Sequence, residues 1–284
     1  MQRLSGVVIL YNPGSETVEN ILSYLTRLQK LYVIDNSKNK SSISNGISMM
    51  ENVNYLHDGQ NEGMAKRLNQ ACKLAIEDGF EWLLTMDQDS FFSQENISAY
   101  TTCLEKLSNK EQIAMTGVEY LAKKDKGAVC KVKETTSLIT SGSIVNLKLF
   151  EQIGGFDEAL FIDQVDFEYC YRSISKGFKI IQYENIFLEH ALGESSVHKS
   201  LKTFKSTSRS LHSPVRLYYM SRNYFYIKSK YKQDFRAEVE AIKKDLYNRI
   251  KNNLLYNKNR LSALKFLILG FIDYKRNKMG KISY

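Results

Sequence analysis

The sequence predicts an α/β domain with a mainly parallel sheet and helices on both faces, followed by a basic helical extension. Short apolar strand-like runs alternate with helical stripes over the first 90 residues. With 43% hydrophobic and 25% charged residues, the 284-residue chain can bury a large core. Residues 196–284 hold 21 Lys and Arg against 5 Asp and Glu, whereas residues 1–195 hold 19 against 26. We therefore expect two regions, 1–195 and 196–284.

The first predicted strand is GVVILY, residues 6–11, which Asn12-Pro13-Gly14 ends. A helix follows in residues 16–28, then strands at 30–37 and 53–59, a helix whose apolar stripe spans 64–76, and a strand within EWLLTMDQDS, 81–90. This order is typical of βαβ units, whose parallel strands gather ligands at their carboxyl ends. Strands at 112–120, 136–146 and 178–183 and helices at 146–153 and 163–177 complete the predicted domain.

Two carboxylates follow the strand at 81–90 directly. Asp87 and Asp89 form a D-x-D pair at the predicted ligand-binding edge of the sheet. Hard oxygen ligands of this kind suit Mg²⁺ or Mn²⁺, which complete their coordination with water and substrate phosphates. The alternative is an ordinary polar turn.

A second acidic cluster lies in GGFDEALFIDQVDFEYCYR, residues 154–172. Asp166 and Glu168 do not share one helical face, which indicates different roles, and a carboxylate near a partly buried site is a candidate general base. The alternative is a helix N-terminus, where acidic residues such as Asp163 and Asp166 offset the helix dipole.

Cysteine usage and apolar runs indicate a cytosolic protein. Four cysteines (Cys72, Cys103, Cys130 and Cys170) show no metal-ligand spacing, and we expect reduced, buried thiols. The N-terminus reads as a strand rather than a signal peptide, and no apolar run reaches the length that spans a bilayer.

The motif series VVILYNP, VIDNS, NEGMAKRLNQACKLA, WLLTMDQDS and GGFDEALFIDQVDFEYCYR, in this order, resembles the nucleotide-sugar glycosyltransferases of family 2, which have the GT-A fold. The resemblance covers residues 6–195. FIDQVDFEYCYR and the later SPVRLYYMSRN, 213–223, are similar to the rhamnosyltransferase subgroup, which builds bacterial surface polysaccharides such as O-antigen and capsule from dTDP-L-rhamnose.

The resemblance implies a role for each matching residue. Asp166 would be the catalytic base, and Asp87 and Asp89 would hold the metal on the donor diphosphate. The predicted nucleotide-sugar site comprises Tyr11, Asn12, Asp35, Asn61, Gly63, Lys66, Asn69 and Asp87. A helix that begins near Gly63 suits phosphate on physical grounds as well.

The resemblance leaves two residue roles undecided, that of Asp163 and that of the histidine near the metal. Val165 stands where the wider family has an acid, so Asp163 is the extra acid nearby, and we place it with the acceptor. His190 lies 24 residues after Asp166, where related enzymes place a histidine near the metal, and His198 competes for that role. A structural histidine is the alternative.

The basic tail interleaves arginines with aromatic residues. Such a pattern binds single-stranded nucleic acid in some proteins and a membrane interface in others. The second reading suits an acceptor on a polyprenyl diphosphate, which Arg216 or Arg222 would contact. The apolar run 261–272 and the lysines and arginine of 275–281 suit attachment to an anionic membrane surface. An ordinary helical unit with a solvated basic face is the alternative.

The sequence thus predicts an inverting, Mg²⁺- or Mn²⁺-dependent rhamnosyltransferase. It would use a nucleotide-sugar donor and a lipid-linked saccharide acceptor at the cytoplasmic face of the bacterial membrane, without a nucleic-acid partner. A UDP-hexose transferase of the same fold is the alternative within the class. A nucleotidyltransferase would usually need a glycine-rich basic loop after the first strand, which YNPGSETVEN is not. A nucleic-acid binder is suggested only by the tail.

Overall fold

The computed structural model describes residues 3–120, 130–190, 196–199, 206–209 and 211–283. They fall into two units. Described residues within 1–157 and 166–191 form the first unit, and those within 158–165 and 192–284 form the second. The predicted boundary after residue 195 falls beside residues that the structure does not describe. The short segment 158–165 belongs to the same unit as the C-terminal helices. A single boundary along the sequence could not have predicted this.

The strands of the first unit are β1 Leu4–Leu10, β2 Lys30–Asp35, β3 Val53–His57, β4 Trp82–Asp87, β5 Ser90–Phe91, β6 Ile113–Glu119, β7 Val132–Glu134, β8 Ser143–Asn146, β9 Lys179–Phe187 and β10 Glu189–His190. Its helices are α1 Glu16–Leu25, α2 Ser44–Ser48, α3 Gly63–Glu77, α4 Gln94–Lys106, α5 Leu147–Ile153 and α6 Val165–Ser175, whose first residue belongs to the second unit. A 3₁₀ turn spans Lys110–Gln112.

Eight strands form the central sheet, in the order β3-β2-β1-β4-β8-β6-β9-β7. Neighbours among β3, β2, β1 and β4 are parallel, as are β6 and β9, while β8 and β7 run antiparallel to their neighbours. This confirms the predicted largely parallel α/β sheet with helices. β1 is buried along all seven residues, as a strand covered on both faces requires.

In its described residues, the second unit is mainly helical and contains one hairpin. It contains β11 Ser196–Lys199 paired with β12 Ser206–Arg209, a 3₁₀ turn at Glu158–Leu160, and the helices α7 Pro214–Tyr231, α8 Arg236–Tyr256 and α9 Arg260–Lys275. α7 and α9 pack closely because Gly270 carries no side chain: a Cβ there would lie 2.5 Å from the Tyr218 carbonyl. Among the described residues, no helix combines the length and apolar character that crossing a bilayer requires.

The structure differs from the predicted elements at several places in this unit. Only residues 143–146 of the expected strand 136–146 form a strand. Helix α4 was not predicted, although Ser93 accepts a hydrogen bond from the Asn96 N–H as an N-cap and Ile97, Tyr100 and Leu104 are buried at helical spacing.

The expectation of four reduced thiols is wrong for one pair in this structure. Cys103 of α4 and Cys130 form a disulfide with their Cα atoms 5.1 Å apart. Their 27-residue separation in the sequence carries no spacing signal that would have revealed the pairing. Cys72 and Cys170 are free and buried, as predicted, and burial raises the pKa of both thiols.

Candidate active site

Three strand ends bring the first predicted site residues to one edge of the sheet. In the parallel register, Leu10 of β1 lies opposite Asp35 of β2, and Ile9 lies opposite Asp87 of β4. Asp35 and Asp87 therefore flank the end of β1, directly before Tyr11. The geometry matches the general rule that ligands collect at the carboxyl ends of parallel strands.

Tyr11 and Asn12 form an exposed corner after β1. The Tyr11 side chain is 54% exposed, while its backbone N–H donates to Gln88 Oε1 at 2.8 Å. Asn12 adopts a left-handed conformation with φ of 47°, which asparagine tolerates better than most residues. Its N–H donates to Ser37 Oγ at 2.7 Å, so the ends of β1 and β2 are tied together. The exposed Tyr11 ring is available for stacking on a nucleotide base.

Asp35 is buried, and its carboxylate organises the loop after β2. It accepts hydrogen bonds from the backbone N–H groups of Ser37 at 3.0 Å and Ser41 at 2.9 Å, and from the Tyr55 hydroxyl at 2.6 Å. Burial raises the pKa of Asp35, but these hydrogen bonds outweigh it and hold the pKa below its usual value. The carboxylate is therefore an anion that shapes the wall of the predicted base pocket.

A polar network joins that loop to the start of α3. Asn61 Oδ1 accepts from Asn36 Nδ2 at 3.0 Å and from the Gly63 N–H at 3.1 Å. Arg67, which the sequence reading did not select, is buried and donates to Asn36 Oδ1 at 3.0 Å and to Asp58 Oδ1 at 2.6 Å. Asn61 and Gly63 thus belong to one preorganised helix start at this edge.

Lys66 lies on the first turn of α3 with an exposed side chain. Its ammonium group is paired with Glu62 one turn earlier. A surface pair of this kind is weak, so it does not prevent Lys66 from meeting a phosphate.

Asn69 lies on the second turn of α3 and binds the backbone of the turn Gly154-Gly155-Phe156, here called the GGF turn. Its Nδ2 donates to the Phe156 carbonyl at 2.9 Å, and the Phe156 N–H donates to its Oδ1 at 2.7 Å. Asn69 is only 9% exposed. The contacts indicate a structural role, whereas the family resemblance implies donor binding.

The substitution Asn69→Ala separates these two roles. Leaving the buried Phe156 backbone groups unpaired costs about 2 kcal/mol, which for a unit of this size lowers the Tm by about 4–8 °C. We expect that loss without a change in donor Kd, measured by thermal unfolding and calorimetry, with the exposed Asn45→Ala as the control. A weaker donor Kd at unchanged Tm would instead restore the donor-binding role.

The loop that carries Asp87 and Asp89 is fixed by neighbours that the sequence did not reveal. Gln88, the middle residue of D-x-D, exchanges two hydrogen bonds with the Tyr11 backbone. Asn20 Nδ2 donates to the Gln88 carbonyl at 3.0 Å, and the Asp87 N–H donates to Ser141 Oγ at 3.2 Å. The two aspartates are half-buried. The loop is thus attached on both sides before any ligand binds.

Backbone pairing places His190 beside this loop. In the antiparallel pair of β5 and β10, His190 lies opposite Ser90, the residue after Asp89. The side chains of His190 and His198 are outside the described part of the structure. Where side chains are described, no group of three or more His, Cys, Asp and Glu residues is assembled for a metal.

Tyr120 lies beside the D-x-D loop through a shared contact with Ser141. Its hydroxyl donates to the Ser141 carbonyl at 2.6 Å. Burial raises the pKa of Tyr120 well above its ordinary value, and the charges of Asp87 and Asp166 raise it further. Tyr120 and Asp87 are joined through Ser141, because the Asp87 N–H donates to the Ser141 hydroxyl. Neither Tyr120 nor Ser141 was predicted, since nothing local in the sequence marks them.

Asp166 lies in the first turn of α6 and is half-buried. Its Oδ1 accepts from the Phe167 N–H at 2.9 Å. Glu168 is fully buried and paired with Arg172 at 2.7 Å, and Arg172 also donates to the carbonyls of Ile153 and Gly155. The two acids thus have different environments: Glu168 is buried in an ion pair with Arg172, whereas Asp166 is half-buried and stays the candidate base.

Asp163 and Arg216, both assigned to the acceptor, form an ion pair with each other in the second unit. Arg216 Nη2 lies 2.8 Å from Asp163 Oδ1, and Nε lies 2.8 Å from Oδ2. Burial raises the pKa of Asp163, and Arg216 opposes that shift. The Arg216 side chain remains 46% exposed.

Arg222 does not lie on an acceptor surface. Its side chain is fully buried, and its guanidinium donates to the carbonyls of Gly280, Ala159 and Leu160 at 2.6–3.1 Å. The acceptor role predicted for Arg222 therefore does not fit the structure. An arginine among aromatic residues occurs both on lipid-facing helices and in buried clusters. The sequence of α7 therefore could not show which of these environments Arg222 has.

Comparison with known proteins relates the chain to glycosyltransferases. Residues 6–120 match the sequence model of the family described as Glycosyl transferase family 2. Over 98% of its length the chain is 26% identical to the dTDP-rhamnosyl transferase RfbF of Shigella flexneri, of which it covers 97%.

Solved glycosyltransferase structures share the fold at low identity. TarS of S. aureus superposes on 97% of this chain with a TM-score of 0.57 and 16% identity. The chain spans about half of that protein's length, 49%, and 80% of TarS 1–349 in complex with UDP-GlcNAc, with a TM-score of 0.54. GalNAc-T7 with UDP, GalNAc and Mn²⁺ matches 66% of the chain with a TM-score of 0.53. These neighbours and the largely parallel sheet establish the GT-A fold. The chain thus contains a region, residues 6–120, that matches the Glycosyl transferase family 2 model, and it is similar to a rhamnosyltransferase over nearly its whole length.

Proposed function

We propose that the protein is an inverting, metal-dependent rhamnosyltransferase that moves L-rhamnose from dTDP-L-rhamnose to a hydroxyl group of a lipid-linked saccharide. The observation that carries the proposal is the parallel register that places Asp35 and Asp87 on either side of the end of β1. Ligands of parallel sheets collect at such strand ends, and the two carboxylates have the chemistry that a nucleotide sugar and its metal ion require. The near full-length similarity to dTDP-rhamnosyl transferase RfbF supports the choice of donor.

The chemistry of the D-x-D loop fits a divalent cation. Asp87 and Asp89 offer hard oxygen ligands at the strand ends, and Mg²⁺ or Mn²⁺ commonly binds one or two carboxylates plus substrate phosphates. His190 is a further proposed ligand, because its backbone pairs beside Asp89. A bound cation offsets the negative charge that develops on the leaving nucleoside diphosphate. A relative in fold, GalNAc-T7, was solved with Mn²⁺.

Asp166 is the proposed general base. The acceptor hydroxyl loses its proton to the Asp166 carboxylate as its oxygen forms a bond to the anomeric carbon. The bond from that carbon to the diphosphate oxygen breaks, and the electron pair leaves with the nucleoside diphosphate. One displacement inverts the anomeric centre.

The strand-end network positions the donor in this scheme. Tyr11, Asn12 and Asp35 border the nucleotide base, and the helix start at Gly63 with Lys66 faces the diphosphate. Because the carboxylate of Asp35 and the amide of Asn61 are already held by protein donors and acceptors, little ordering is left to occur when the donor binds.

Arg216 is the proposed contact for the diphosphate of a polyprenyl-linked acceptor. Its planar guanidinium is half exposed and already holds the carboxylate of Asp163 in a two-point geometry that phosphate also accepts. Such an acceptor would form part of O-antigen or capsule synthesis at the cytoplasmic face of the membrane.

An exposed apolar stripe on α9 supports attachment to an anionic membrane surface. Four side chains at intervals of three and four residues are 40–80% exposed: Leu261, Leu264, Ile268 and Phe271. Exposed basic residues flank them, namely Lys258, Arg260, Lys265, Lys275 and Arg276. An apolar helical face bordered by cations matches the headgroup region of an anionic bilayer, where each basic residue near the surface contributes about 1 kcal/mol.

The double substitution Leu264→Glu with Ile268→Glu should weaken binding to vesicles of anionic phospholipid by at least about 10-fold, since two apolar contacts are lost and two like charges are added. Co-sedimentation with vesicles free of any sugar-bearing lipid measures this directly. The exposed Met49→Glu is the control and should bind as the wild type does. Equal binding of all three proteins would exclude the α9 stripe as the attachment surface.

The proposed activity is tested by incubating the protein with dTDP-L-rhamnose, Mn²⁺ and a panel of polyprenyl-diphosphate-linked saccharides. The expected product gains one deoxyhexose, with the anomeric configuration opposite to that of the donor in its NMR spectrum. Retention of configuration would contradict the single displacement. If the protein transfers sugar from a UDP-hexose but not from dTDP-L-rhamnose, the proposed mechanism stands and the proposed donor is wrong.

A further inference from the structure

The segment between the GGF turn and α6 has an unusual backbone. Phe161, Asp163 and Gln164 all have positive φ, at 63°, 67° and 65°. Residues with a Cβ rarely enter this region, and three of them within four positions persist only where the surroundings impose the conformation. Strain of this kind is concentrated at functional sites, and here it lies directly before the helix that carries Asp166.

Two adjacent side chains of α7 impose this conformation. Asn223 Nδ2 lies 2.7–2.9 Å from the carbonyls of Leu160, Ile162 and Asp163. Arg222 donates to the carbonyls of Ala159 and Leu160 at 3.1 Å. Together they satisfy four carbonyl oxygens of residues 159–163.

Other residues of α7 hold the side chains of the same segment. The Tyr219 ring stacks on Phe161 with centroids 5.0 Å apart and planes 16° from parallel. Arg216 pairs with Asp163. Positions 216, 219 and 223 recur at helical spacing, so one face of α7 is dedicated to residues 159–163.

Packing alone does not require these polar groups. Arg222 and Asn223 are both fully buried, and a buried guanidinium is more costly to desolvate than an apolar side chain of similar volume. Their donors match a fixed set of backbone carbonyls, so they specify one backbone path rather than merely filling space.

That path determines how α6 starts. The helix begins at Val165, two residues after Asp163, and Asp166 is its second residue. Because Asp166 lies so close to the helix start, the direction of its carboxylate depends on the dihedral angles of the preceding residues. A misplacement of about 1 Å in a reacting group costs on the order of 100-fold in rate.

We propose that Arg222 and Asn223 are positioning residues for the base Asp166, which they orient by holding residues 159–163 in the left-handed conformation. The inference rests on the proposed function of Asp166. It assigns to Arg222 and Asn223 a role in the chemical step rather than in binding of the acceptor.

The experiment compares Asn223→Ala with Asn253→Ala. Asn253 is also a fully buried asparagine of the second unit, and it makes three hydrogen bonds, to Arg249, His212 and Asn257, none of which involves residues 158–165. We expect Asn223→Ala to lower kcat of rhamnosyl transfer by at least about 10-fold while donor KM stays within twofold of wild type. Asn253→Ala should leave kcat unchanged. Arg222→Lys keeps the charge but cannot bridge the carbonyls, and should lower kcat less than Asn223→Ala.

Amide hydrogen exchange without substrate provides the second readout. Peptides that cover residues 161–168 should exchange at least about 10-fold faster in Asn223→Ala than in wild type or Asn253→Ala. Equal kcat losses in the two asparagine variants, or an unchanged kcat or unchanged exchange in Asn223→Ala, would overturn the proposal. If wild type itself transfers no sugar, the proposed function fails, and the exchange comparison still decides whether Asn223 orders the start of α6.

Discussion

Replacing Asp166 with Asn should lower glycosyl transfer by about 10²–10⁴-fold while leaving donor binding intact. The amide keeps the size of the carboxylate and its contact with the Phe167 N–H, but it cannot accept the acceptor proton. General bases contribute about 10²–10⁴-fold to rate, and we expect a loss of kcat in that range. Transfer kinetics and calorimetric titration of the donor on the same protein measure both quantities.

The control for this prediction lies at the opposite edge of the same sheet. Asp78 pairs with Lys30, the first residue of β2, so Asp78→Asn removes a carboxylate of the same unit at the amino ends of the strands, far from the carboxyl ends that carry the site. It should leave kcat within twofold, because a surface ion pair contributes about 0–1 kcal/mol to stability. A kcat for Asp166→Asn close to that of Asp78→Asn would exclude Asp166 as the base.

Asn substitutions at Asp87 and Asp89 should remove metal-dependent donor binding. Each replaces a charged oxygen ligand by a weaker neutral one, while Gln88 keeps the loop attached to Tyr11. A metal ion contributes several kcal/mol to such a site, and a loss of about 3 kcal/mol corresponds to roughly 100-fold weaker binding. Calorimetry measures the donor Kd with Mn²⁺ and with EDTA. The difference between these two Kd values should disappear in both variants.

The exposed Asp234 supplies the comparison for the D-x-D variants. Asp234→Asn should retain the full effect of EDTA on donor affinity. If Asp87→Asn and Asp89→Asn also retain it, the metal site lies elsewhere and the role of the D-x-D loop is structural.

Local patterns were enough to predict the first half of the fold. β1 to β4 and the helices α1 and α3 show clear periodicity, whereas the short helix α2 was not predicted. The parallel register then places Asp35 and Asp87 beside the end of β1. Each of these inferences needs only neighbouring residues and one general rule on strand ends. The strand-end residues could thus be located from the sequence alone.

What the sequence did not reveal depends on distant contacts. Phe161, Asp163 and Gln164 have no intrinsic preference for positive φ, and the donors that hold this segment lie about 60 residues later in the chain. Arg222 was assigned to the acceptor because the surrounding tyrosines suggested a membrane interface. The same residue pattern occurs in a buried cluster, which is where the structure places Arg222.

Residues of the candidate site that lack a motif were missed for the same reason. Tyr120 and Ser141 meet the D-x-D loop only through the fold, since Ser141 lies 54 residues after Asp87. The disulfide between Cys103 and Cys130 is likewise a matter of tertiary proximity. Short-range periodicity predicts elements, whereas the partners of individual side chains require the assembled sheet.

The measurement that tests the central claim most directly is calorimetric binding of nucleotide sugars to the wild-type protein. dTDP-L-rhamnose, UDP-glucose, UDP-galactose and GDP-mannose are each titrated with Mn²⁺ or Mg²⁺ and again with EDTA. The account predicts binding that requires the metal and favours dTDP-L-rhamnose. Preference for a UDP-sugar would retain the mechanism and discard the rhamnosyl donor. If none of the four binds with metal present, the donor site at Asp87 and Asp89 is contradicted.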